Sequence, residues 1–406
     1  MIYDIVIIGA GASGMAAALS ARSGINRPRI LLLERHSRVG KKLLATGNGR
    51  CNLSNLQAGM LDHYHGSHAL AQPSLAACPP DKIRAFFTSL GLETVADSEG
   101  RLYPAGDQAA GVVDVLRLSL QEWGIEVLTG FEVCGLEPSF RIAARDGRTV
   151  QGRRVILCAG GPSGEKHGGT RDGHKLLAGL GHRITPLYPA LCQLKTEPEA
   201  VRALKGIKYR GSITLLENGK AVQRETGEIQ FCDYGLTGIA AMALCRACAQ
   251  GLAKGRDMRA RLEICPASHE ALMDLRDRIP GRLLEDFLTG LVSKRLGQRL
   301  LFHAGIAPLS RRADSLSEAE LRRLATLLSG WTLKLTGTQP LAAAQVTAGG
   351  AAAEDFDPMT LQSRLLPGLF GAGEVLDVDG DCGGFNLHWA WASGIRAGEC
   401  AAASMG

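Results

Sequence analysis

The stretch Tyr3-Asp-Ile-Val-Ile-Ile-Gly9-Ala-Gly11-Ala-Ser-Gly14 decides the fold of the first part of the chain. Its first six residues read as a buried β-strand, and residues 15–23 read as a helix of small residues that packs closely on a sheet. Gly9 allows a tight turn, Gly11 lets the backbone approach a pyrophosphate, and Gly14 lets the helix lie against the strand. The helix N-terminus then presents free N–H groups and a partial positive charge to phosphates.

A second strand, Ile30–Leu33, completes a strand–helix–strand unit and is followed by Glu34, twenty residues after Gly14. An acidic side chain at this position accepts hydrogen bonds from both ribose hydroxyls of a dinucleotide and disfavours a 2′-phosphate. The pattern predicts a Rossmann-type fold that binds a dinucleotide. It does not distinguish NAD from FAD.

Two later segments indicate FAD. Val155–Gly161 is a buried strand that ends in a glycine pair, and Leu369–Asp377 is a strand followed by glycines and acidic residues. These segments resemble the second and third short motifs of flavoproteins with two dinucleotide-binding domains, whose third motif places an acidic residue at the ribityl chain. Because the sequence has no second G-x-G-x-x-G in a suitable context, NAD(P)H is expected to dock only transiently.

A more specific resemblance covers essentially the whole chain. It is carried by Lys41–Asn52, Gly349-Gly350, Gly373–Asp379, Gly383–Leu387 and Ala390–Gly394, which resemble the BaiN/YhiN family of bacterial flavoproteins. Asp233–Gly238 also resembles a family segment, although Ile239 stands where a proline is commoner. The resemblance implies an α/β fold in which a Rossmann-type FAD-binding domain is interrupted by an inserted β-barrel plus a helical part.

The texture of the sequence changes twice, which gives domain boundaries. Residues 1–188 and 341–406 are predicted to form a discontinuous FAD-binding domain, because both contain glycine-rich turns beside buried strands. Residues 189–265 are predicted as the barrel part of the insert. Residues 266–340, rich in Leu, Arg and Glu, are predicted as its helical part.

The residues expected to bind FAD lie in the glycine cradle, in the loop around Thr46–Arg50 and in later segments. Lys42 and Arg50 are expected to neutralise the pyrophosphate. A helix beginning after Asn386 is expected to point its N-terminus at the pyrimidine edge of the flavin. The full predicted set is Gly9, Gly11, Ser13, Gly14, Glu34, Arg35, Lys42, Thr46, Gly47, Gly49, Arg50, Cys51, Asn52, Val133, Ala159, Gly160, Gly161, Gly373, Glu374, Asp377, Gly384, Phe385, Asn386 and Leu387.

Composition limits the partners. The net charge of +6 over 406 residues is small and includes no run of five basic residues, so a small-molecule substrate is expected and nucleic acid is not. Arginines and lysines between residues 276 and 299 alternate with acids and leucines, as on a solvated face. No apolar run reaches 18 residues, so no membrane association is expected. The oligomeric state is left open.

The eleven cysteines are scattered and mostly lie in apolar segments, so they are expected to be reduced, as in a cytoplasmic protein. Cys245 and Cys248 form one C-x-x-C in an Ala-rich helical stretch without a second pair, so no metal is expected. The first residues enter a strand at once and do not resemble a secretory signal.

The resemblance implies an oxidoreductase, with three functions open. The leading one is NAD(P)H-dependent reduction of a C=C bond conjugated to a ketone, in a bile-acid-like or steroid-like enone. The second is oxidation of a small amine such as aminoacetone with production of peroxide, and the third is a FAD-binding nucleic-acid partner. The catalytic residue is not identified; His388, Tyr188 and Tyr209 are the candidates, with Tyr234, Asp381 and Cys382 as further possible donors.

Overall fold

The computed structural model describes residues 2–24 and 27–405. They form two units, the first made of residues up to 188 together with residues from 341 on, and the second of residues 189–340. We call them the first unit and the inserted unit.

Up to residue 188 the chain forms ten strands and five helices. The strands are β1 (Ile2–Ile8), β2 (Ile30–Leu33), β3 (Ser54–Asn55), β4 (Tyr64–Gly66), β5 (Thr94–Ala96), β6 (Arg101–Pro104), β7 (Glu126–Leu128), β8 (Val133–Leu136), β9 (Arg141–Ala144) and β10 (Thr149–Leu157). The helices are α1 (Ala12–Ser23), α2 (His68–Ala77), α3 (Pro80–Ser89), α4 (Ala109–Glu122) and α5 (Asp172–Gly179).

The chain then runs through the inserted unit and returns. The next strands are β11 (Tyr188–Ala190), β12 (Leu194–Thr196), β13 (Lys208–Glu217), β14 (Lys220–Cys232), β15 (Gly235–Thr237), β16 (Met258–Glu263) and β17 (Trp331–Thr338), and the helices are α6 (Pro198–Val201), α7 (Ile239–Ala243), α8 (Cys245–Ala253), α9 (His269–Arg278), α10 (Lys294–His303) and α11 (Glu318–Gly330). After the return come β18 (Val346–Ala348), β19 (Leu369–Gly371), β20 (Val378–Gly380) and α12 (Phe385–Ala403).

Short 3-10 helices connect several of these elements. They span Leu43–Gly49, Leu61–His63, Glu165–His167, Arg202–Leu204, Leu284–Asp286, Ala313–Ser315, Leu341–Ala343, Ala353–Asp355 and Gly373–Val375.

The core of the first unit is a seven-stranded sheet in the order β7-β2-β1-β10-β9-β8, with β19 also paired to β10. Strands β7, β2, β1, β10 and β19 are parallel, and β9 and β8 are antiparallel additions at one side. Central strand β1 aligns Val6 with Leu31 on one side and with Val155 on the other. Its residues 5–8 are all buried, as expected for a parallel strand covered on both faces.

Helices α1 and α12 pack backbone against backbone. A Cβ on Gly394 would lie 2.3 Å from the carbonyl oxygen of Ser13, and one on Gly398 would lie 2.3 Å from that of Ala17. Atoms at such distances overlap, so only glycine fits at both positions. The contact fixes α12 along the helix that begins at the glycine cradle.

The inserted unit contains a closed six-stranded barrel in the order β12-β15-β14-β13-β16-β17. Its interior is filled by side chains, among them Phe231, whose ring lies 5.9 Å from the rings of both Tyr209 and Trp331. Helices α9, α10 and α11 lie between β16 and β17 in sequence.

Strand β17 corrects the sequence prediction that residues 266–340 are helical. Residues 331–338 are the strand that closes the barrel, and Trp331, Leu333 and Leu335 are buried while Thr332, Lys334 and Thr336 are exposed. This alternation is the period of a half-buried strand. The prediction missed it because the Leu-rich composition of α11 continues into the strand.

We predict that Gly398→Ala lowers the free energy of unfolding by about 1–3 kcal/mol, because the added methyl overlaps the backbone of α1. Gly111→Ala in α4 is the control, since that glycine has open space around it, and it should stabilise by about 0.5–1 kcal/mol. Urea denaturation followed by circular dichroism measures both. Equal stabilities for the two variants would contradict the close packing.

Candidate functional site

The glycine cradle has open space where a ligand phosphate would lie. Gly9 has a φ of +102°, and a Cβ on it would lie 2.4 Å from the carbonyl oxygen of Cys158. Helix α1 begins at Ala12 with Gly11 as its N-cap, so no side chain caps its first N–H groups. Around a Cβ added to Gly11 no atom of the described chain, apart from its own neighbours, lies within 4 Å. The positive end of the helix dipole is therefore open to an anion.

Glu34 lies beside this cradle with its side chain fixed. Its Oε2 accepts a hydrogen bond from the backbone N–H of Ala10 at 3.0 Å, and its Oε1 accepts one from that of His36 at 2.8 Å. The residue is 8% exposed. Because a carboxylate accepts about four hydrogen bonds, acceptor capacity remains for ribose hydroxyls.

Glu374 ties four distant segments of the first unit together. Its Oε2 lies 2.7 Å from Nζ of Lys42, and its Oε1 accepts hydrogen bonds from the Ser163 hydroxyl and, at 2.8 Å, from the backbone N–H of Thr347. Burial alone would raise the pKa of Glu374, but the Lys42 charge and these hydrogen bonds hold it below its usual range. The Lys42 ammonium, which the sequence assigns to a pyrophosphate, is thus already paired with a carboxylate.

Arg50 also has a protein partner. Its Nε lies 2.6 Å from Oδ1 of Asp107, and its guanidinium stacks 4.2 Å from the ring centroid of Tyr103. The two basic residues expected at a pyrophosphate are therefore held by acidic side chains.

The loop after β2 reaches the N-terminus of α12. Gly47, Asn48 and Cys51 adopt left-handed backbone conformations, which fold the loop tightly. Asn52 then lies where a Cβ on Gly384 would be 2.7 Å from its Oδ1. This oxygen is buried and has no hydrogen-bond partner among the described residues. A buried acceptor without a partner indicates a missing donor.

Helix α12 begins at Phe385, two residues before the predicted start, with Gly384 as its left-handed N-cap. The side chain of Asn386 accepts a hydrogen bond from the Gly380 N–H at 2.8 Å and donates to the carbonyls of Gly380 at 2.7 Å and Asp381 at 3.1 Å. Its polar atoms therefore fix the turn before the helix. The backbone N–H groups at the start of α12 have no side-chain cap.

The remaining predicted residues lie in the first unit at scattered positions. Arg35 forms long ion pairs with Glu132 and Asp172, Val133 begins β8, and Ala159 and Gly160 follow β10. A Cβ on Gly161 would touch the Thr347 hydroxyl and Glu374, and one on Gly373 would lie 2.6 Å from the Ser13 hydroxyl. Leu387 is half-buried in α12, Gly49 lies in the loop, and the Asp377 carbonyl accepts from Ser67.

The three catalytic candidates lie in unfavourable surroundings for proton transfer. His388 is fully buried, its Nδ1 is 2.8 Å from the Ser54 hydroxyl, and burial lowers its pKa to about 4. Tyr209 lies in the barrel of the inserted unit, where burial raises the pKa of its hydroxyl. Tyr188 is half-buried at the end of the first segment of the first unit.

The sequence analysis missed two histidines beside Asp381. Nδ1 of His63 lies 3.0 Å from Asp381 Oδ2, and Nε2 of His65 lies 2.9 Å from Asp381 Oδ1. Pairing of β4 with β20 brings them together across more than 300 residues. The local signal was a His-x-His pattern in a short strand, which places both rings on one side.

Asp381 is held on the acidic side of its titration. Burial would raise its pKa, but hydrogen bonds from His65 and His63 hold it below its usual range. The ring of His63 also stacks on Phe385, with centroids 4.2 Å apart and planes 24° apart. We call His63, Asp381 and His65 the histidine–aspartate cluster.

The inserted unit contains a cavity of about 410 Å³. It is lined by Lys208 and Arg210 of β13 and by residues 289–293, which lead into α10. Lys208 pairs with Glu228 at 3.0 Å, whereas Arg210 makes no ion pair in the part of the chain that the structure describes. The N-cap of α10, Ser293, makes no side-chain capping bond. The walls are therefore polar and positively charged.

Two searches for other kinds of site were negative for the described residues. In residues 2–24 and 27–405 no group of three histidine, cysteine, aspartate or glutamate side chains is placed to hold a metal ion. Within the same ranges, none of the helices combines the length and apolarity needed to cross a membrane.

The chain is similar to known proteins over its full length. The family described as HI0933-like protein Rossmann domain matches residues 3–400. The 3-dehydro-bile acid delta(4,6)-reductase of Clostridium scindens is 36% identical over 404 residues, covering 98% of both chains. The ribosomal RNA dihydrouridine synthase of Escherichia coli is 28% identical over 398 residues, covering 96% of both chains.

The fold is also found in solved structures. The 3-ketosteroid-delta4-(5alpha)-dehydrogenase of Rhodococcus jostii, solved with 4-androstene-3,17-dione, aligns with a TM-score of 0.51 at 17% identity, covering 99% of this chain and 97% of that one. The predicted fold class, a Rossmann-type FAD-binding domain interrupted by an inserted barrel, is confirmed. The predicted family resemblance is confirmed as well, and the chain belongs to the HI0933-like family of Rossmann flavoproteins.

Proposed function

We propose that this protein is a FAD-dependent reductase of a C=C bond conjugated to a carbonyl group. The observation that carries the proposal is the 36% identity over 98% of the chain to an enzyme named as a reductase of a 3-dehydro-bile acid. The name of the more distant relative, a dihydrouridine synthase, describes the same bond change, since dihydrouridine is uridine with its ring C=C bond saturated. An oxidoreductase is the common ground of both.

The residues of the first unit fit FAD. The uncapped start of α1 and the open space at Gly11 suit a pyrophosphate, and Glu34 suits the adenosine ribose. The unpartnered Oδ1 of Asn52, beside Gly384, is an acceptor of the kind that a flavin ring N–H satisfies. We propose the set predicted from the sequence as the FAD site, with Lys42 acting through Glu374. When bound, FAD supplies the hydride chemistry, taking two electrons from NAD(P)H and passing them to the substrate.

The proposal includes the surroundings of the enzyme. The first unit and residues 189–340 are proposed as separate domains, the latter built on a barrel that includes residues 331–338. A cytoplasmic location is proposed on the basis of eleven free cysteines, of which Cys134 and Cys382 are exposed. The preferred substrate is a small apolar enone, and NAD(P)H is the proposed electron source.

A second candidate substrate is a uracil within RNA, and the distribution of charge favours it. The inserted unit has 23 Lys and Arg against 16 Asp and Glu, whereas the rest of the chain has 23 against 24. The positive charge of the protein thus lies entirely in the inserted unit, which also has a cavity lined by Lys208 and Arg210. Clustered positive charge binds nucleic-acid backbones.

We predict that Gly11→Val abolishes FAD binding without destabilising the apoprotein. A side chain at Gly11 meets no described atom, so the fold tolerates it, but it fills the space that a pyrophosphate needs. The measurements are the ratio of FAD to protein by absorbance and the unfolding midpoint of the apoprotein. Gly111→Ala is the control and should keep one FAD per chain. A stoichiometrically yellow Gly11→Val protein would refute the cradle.

We predict that anaerobic NADH or NADPH bleaches the flavin absorbance, and that a 3-oxo-Δ4 steroid or a uridine-containing ribosomal RNA then restores it. Double-mixing stopped-flow at 450 nm measures both steps. Faster recovery with the steroid supports the small enone, and faster recovery with the RNA supports the second candidate. No bleaching by either nucleotide, together with rapid peroxide formation from aminoacetone, would replace the reductase by the oxidase.

We predict that RNA retention on a filter, if RNA is the substrate, weakens in the double variant Lys208→Ala/Arg210→Ala. Each lost phosphate contact lowers the slope of log affinity against log salt by about 0.7–0.9. The matched control is Lys220→Ala/Lys254→Ala, which removes two exposed charges of the same unit outside the cavity. Identical slopes for both double variants would exclude the cavity as an RNA contact.

A further inference from the structure

Reduction of a C=C bond conjugated to a carbonyl needs a proton as well as a hydride. Hydride addition to the β-carbon breaks the π bond and leaves the electron pair on the enolate. A proton must then bond to the α-carbon to complete the saturated product. The hydride comes from reduced flavin, itself reduced by NAD(P)H, while the proton must come from a protein group or from water. The following inference rests on the proposed function, because only that reaction requires this proton.

Most protic side chains near the start of α12 are unsuited to this task. His388 is buried, and burial lowers its pKa to about 4, so it carries no extra proton at neutral pH. The Tyr64 hydroxyl is buried and donates to the carbonyl of Ala58 at 2.9 Å. Burial raises the pKa of the Cys382 thiol and that of Tyr64. The Lys42 ammonium is bound to Glu374.

The two histidines that share Asp381 differ from these groups. Their side chains are 28% and 33% exposed, so both can exchange protons with solvent or substrate. Because the carboxylate accepts, His63 donates through Nδ1 and His65 through Nε2. Nε2 of His63 and Nδ1 of His65 make no hydrogen bond in the described part of the chain. A carboxylate between two imidazoles favours one further proton on the pair.

The cluster is attached to the segment that we assign to the flavin. Asp381 lies two residues before Gly383, so their Cα atoms are within about 7 Å. Asn386 holds Asp381 by accepting the Gly380 N–H and donating to the Asp381 carbonyl. The His63 ring lies on Phe385, the first residue of α12. Of the two rings, His63 is therefore the one fixed against the start of this helix.

Other charged or titratable groups surround the cluster. Tyr64 and Asp379 belong to the paired strands β4 and β20, Cys382 follows Asp381 in sequence, and the charge of Arg101 reaches Cys382. None of them bonds to the free ring nitrogens among the described residues. The single negative group that both imidazoles contact is Asp381.

We propose that His63 delivers the proton to the α-carbon of the substrate, and that Asp381 and His65 position and recharge it. On transfer the N–H bond at His63 Nε2 breaks, its electron pair stays on nitrogen, and the enolate pair forms the new C–H bond. A proton from solvent then returns to the cluster through His65. The sites given by sequence motifs contain none of these histidines.

The experiment separates the proton from the hydride. His63→Gln, His65→Gln, Asp381→Asn and the control His68→Gln are purified with FAD and reduced anaerobically by dithionite. Each is mixed with a 3-oxo-Δ4 steroid or uridine-containing RNA, and in parallel with ferricyanide, which takes electrons without needing a proton on carbon. His68 is exposed and bonds only to the Tyr64 carbonyl, so it matches the others without belonging to the cluster.

We expect His63→Gln to be reoxidised by the C=C acceptor about 100-fold more slowly, because general acid catalysis contributes on that scale. His65→Gln and Asp381→Asn should lose less, His68→Gln nothing, and ferricyanide rates should be unchanged in all four. The solvent deuterium isotope effect on the C=C step should change in His63→Gln alone. Wild-type rates and isotope effects in His63→Gln would overturn the inference.

A second measurement does not depend on turnover. In ¹⁵N-histidine NMR spectra of the neutral holoprotein, His63 should carry its hydrogen on Nδ1 and His65 on Nε2, and Asp381→Asn should remove the His63 preference. Failure to see these tautomers overturns the cluster. If reduced wild type reacts with ferricyanide but with neither C=C acceptor, the proposed function fails and the proton assignment fails with it, while the tautomers still report whether the cluster exists.

Discussion

The buried carboxylate of Glu374 is the constraint on which the first unit depends. A carboxylate removed from water destabilises a fold unless it is paired and hydrogen-bonded. Lys42, Ser163 and Thr347 supply these partners from the segments after β2, after β10 and within β18. Glu374 itself follows β19. One side chain thus gathers the loops at the carboxyl ends of three parallel strands, which is where ligands bind in α/β sheets.

The glycine cradle and Glu34 were predictable from the sequence because their geometry is local. Turn, helix and acidic residue lie within one strand–helix–strand unit, and each glycine has a steric reason that spacing alone reveals. The partner of Lys42 was not predictable in the same way. Its contact with Glu374 spans 332 positions and depends on the order of strands in the sheet.

The histidine–aspartate cluster shows the same limit at the candidate site. Asp381 stood out because it lies beside a flavin-like motif, whereas His63 and His65 lie in a two-stranded sheet that no periodicity indicated. Strand β17 was missed for a different reason, since its alternating pattern directly follows a helix of similar composition. Net charge was similarly uninformative as a total, because its meaning came from its location in the inserted unit.

The packing of α12 on α1 has a consequence for the order in which the protein folds. More than 360 residues separate the two helices, and their glycine contact leaves no room for another arrangement. During synthesis the cradle emerges early but lacks the helix that covers it until almost all of the chain has been made. The inserted unit is continuous in sequence, so it can complete its barrel while the first unit still waits. The cradle is therefore the oldest part of the nascent chain and one of the last to be finished, which leaves its apolar helix face in need of protection on the ribosome.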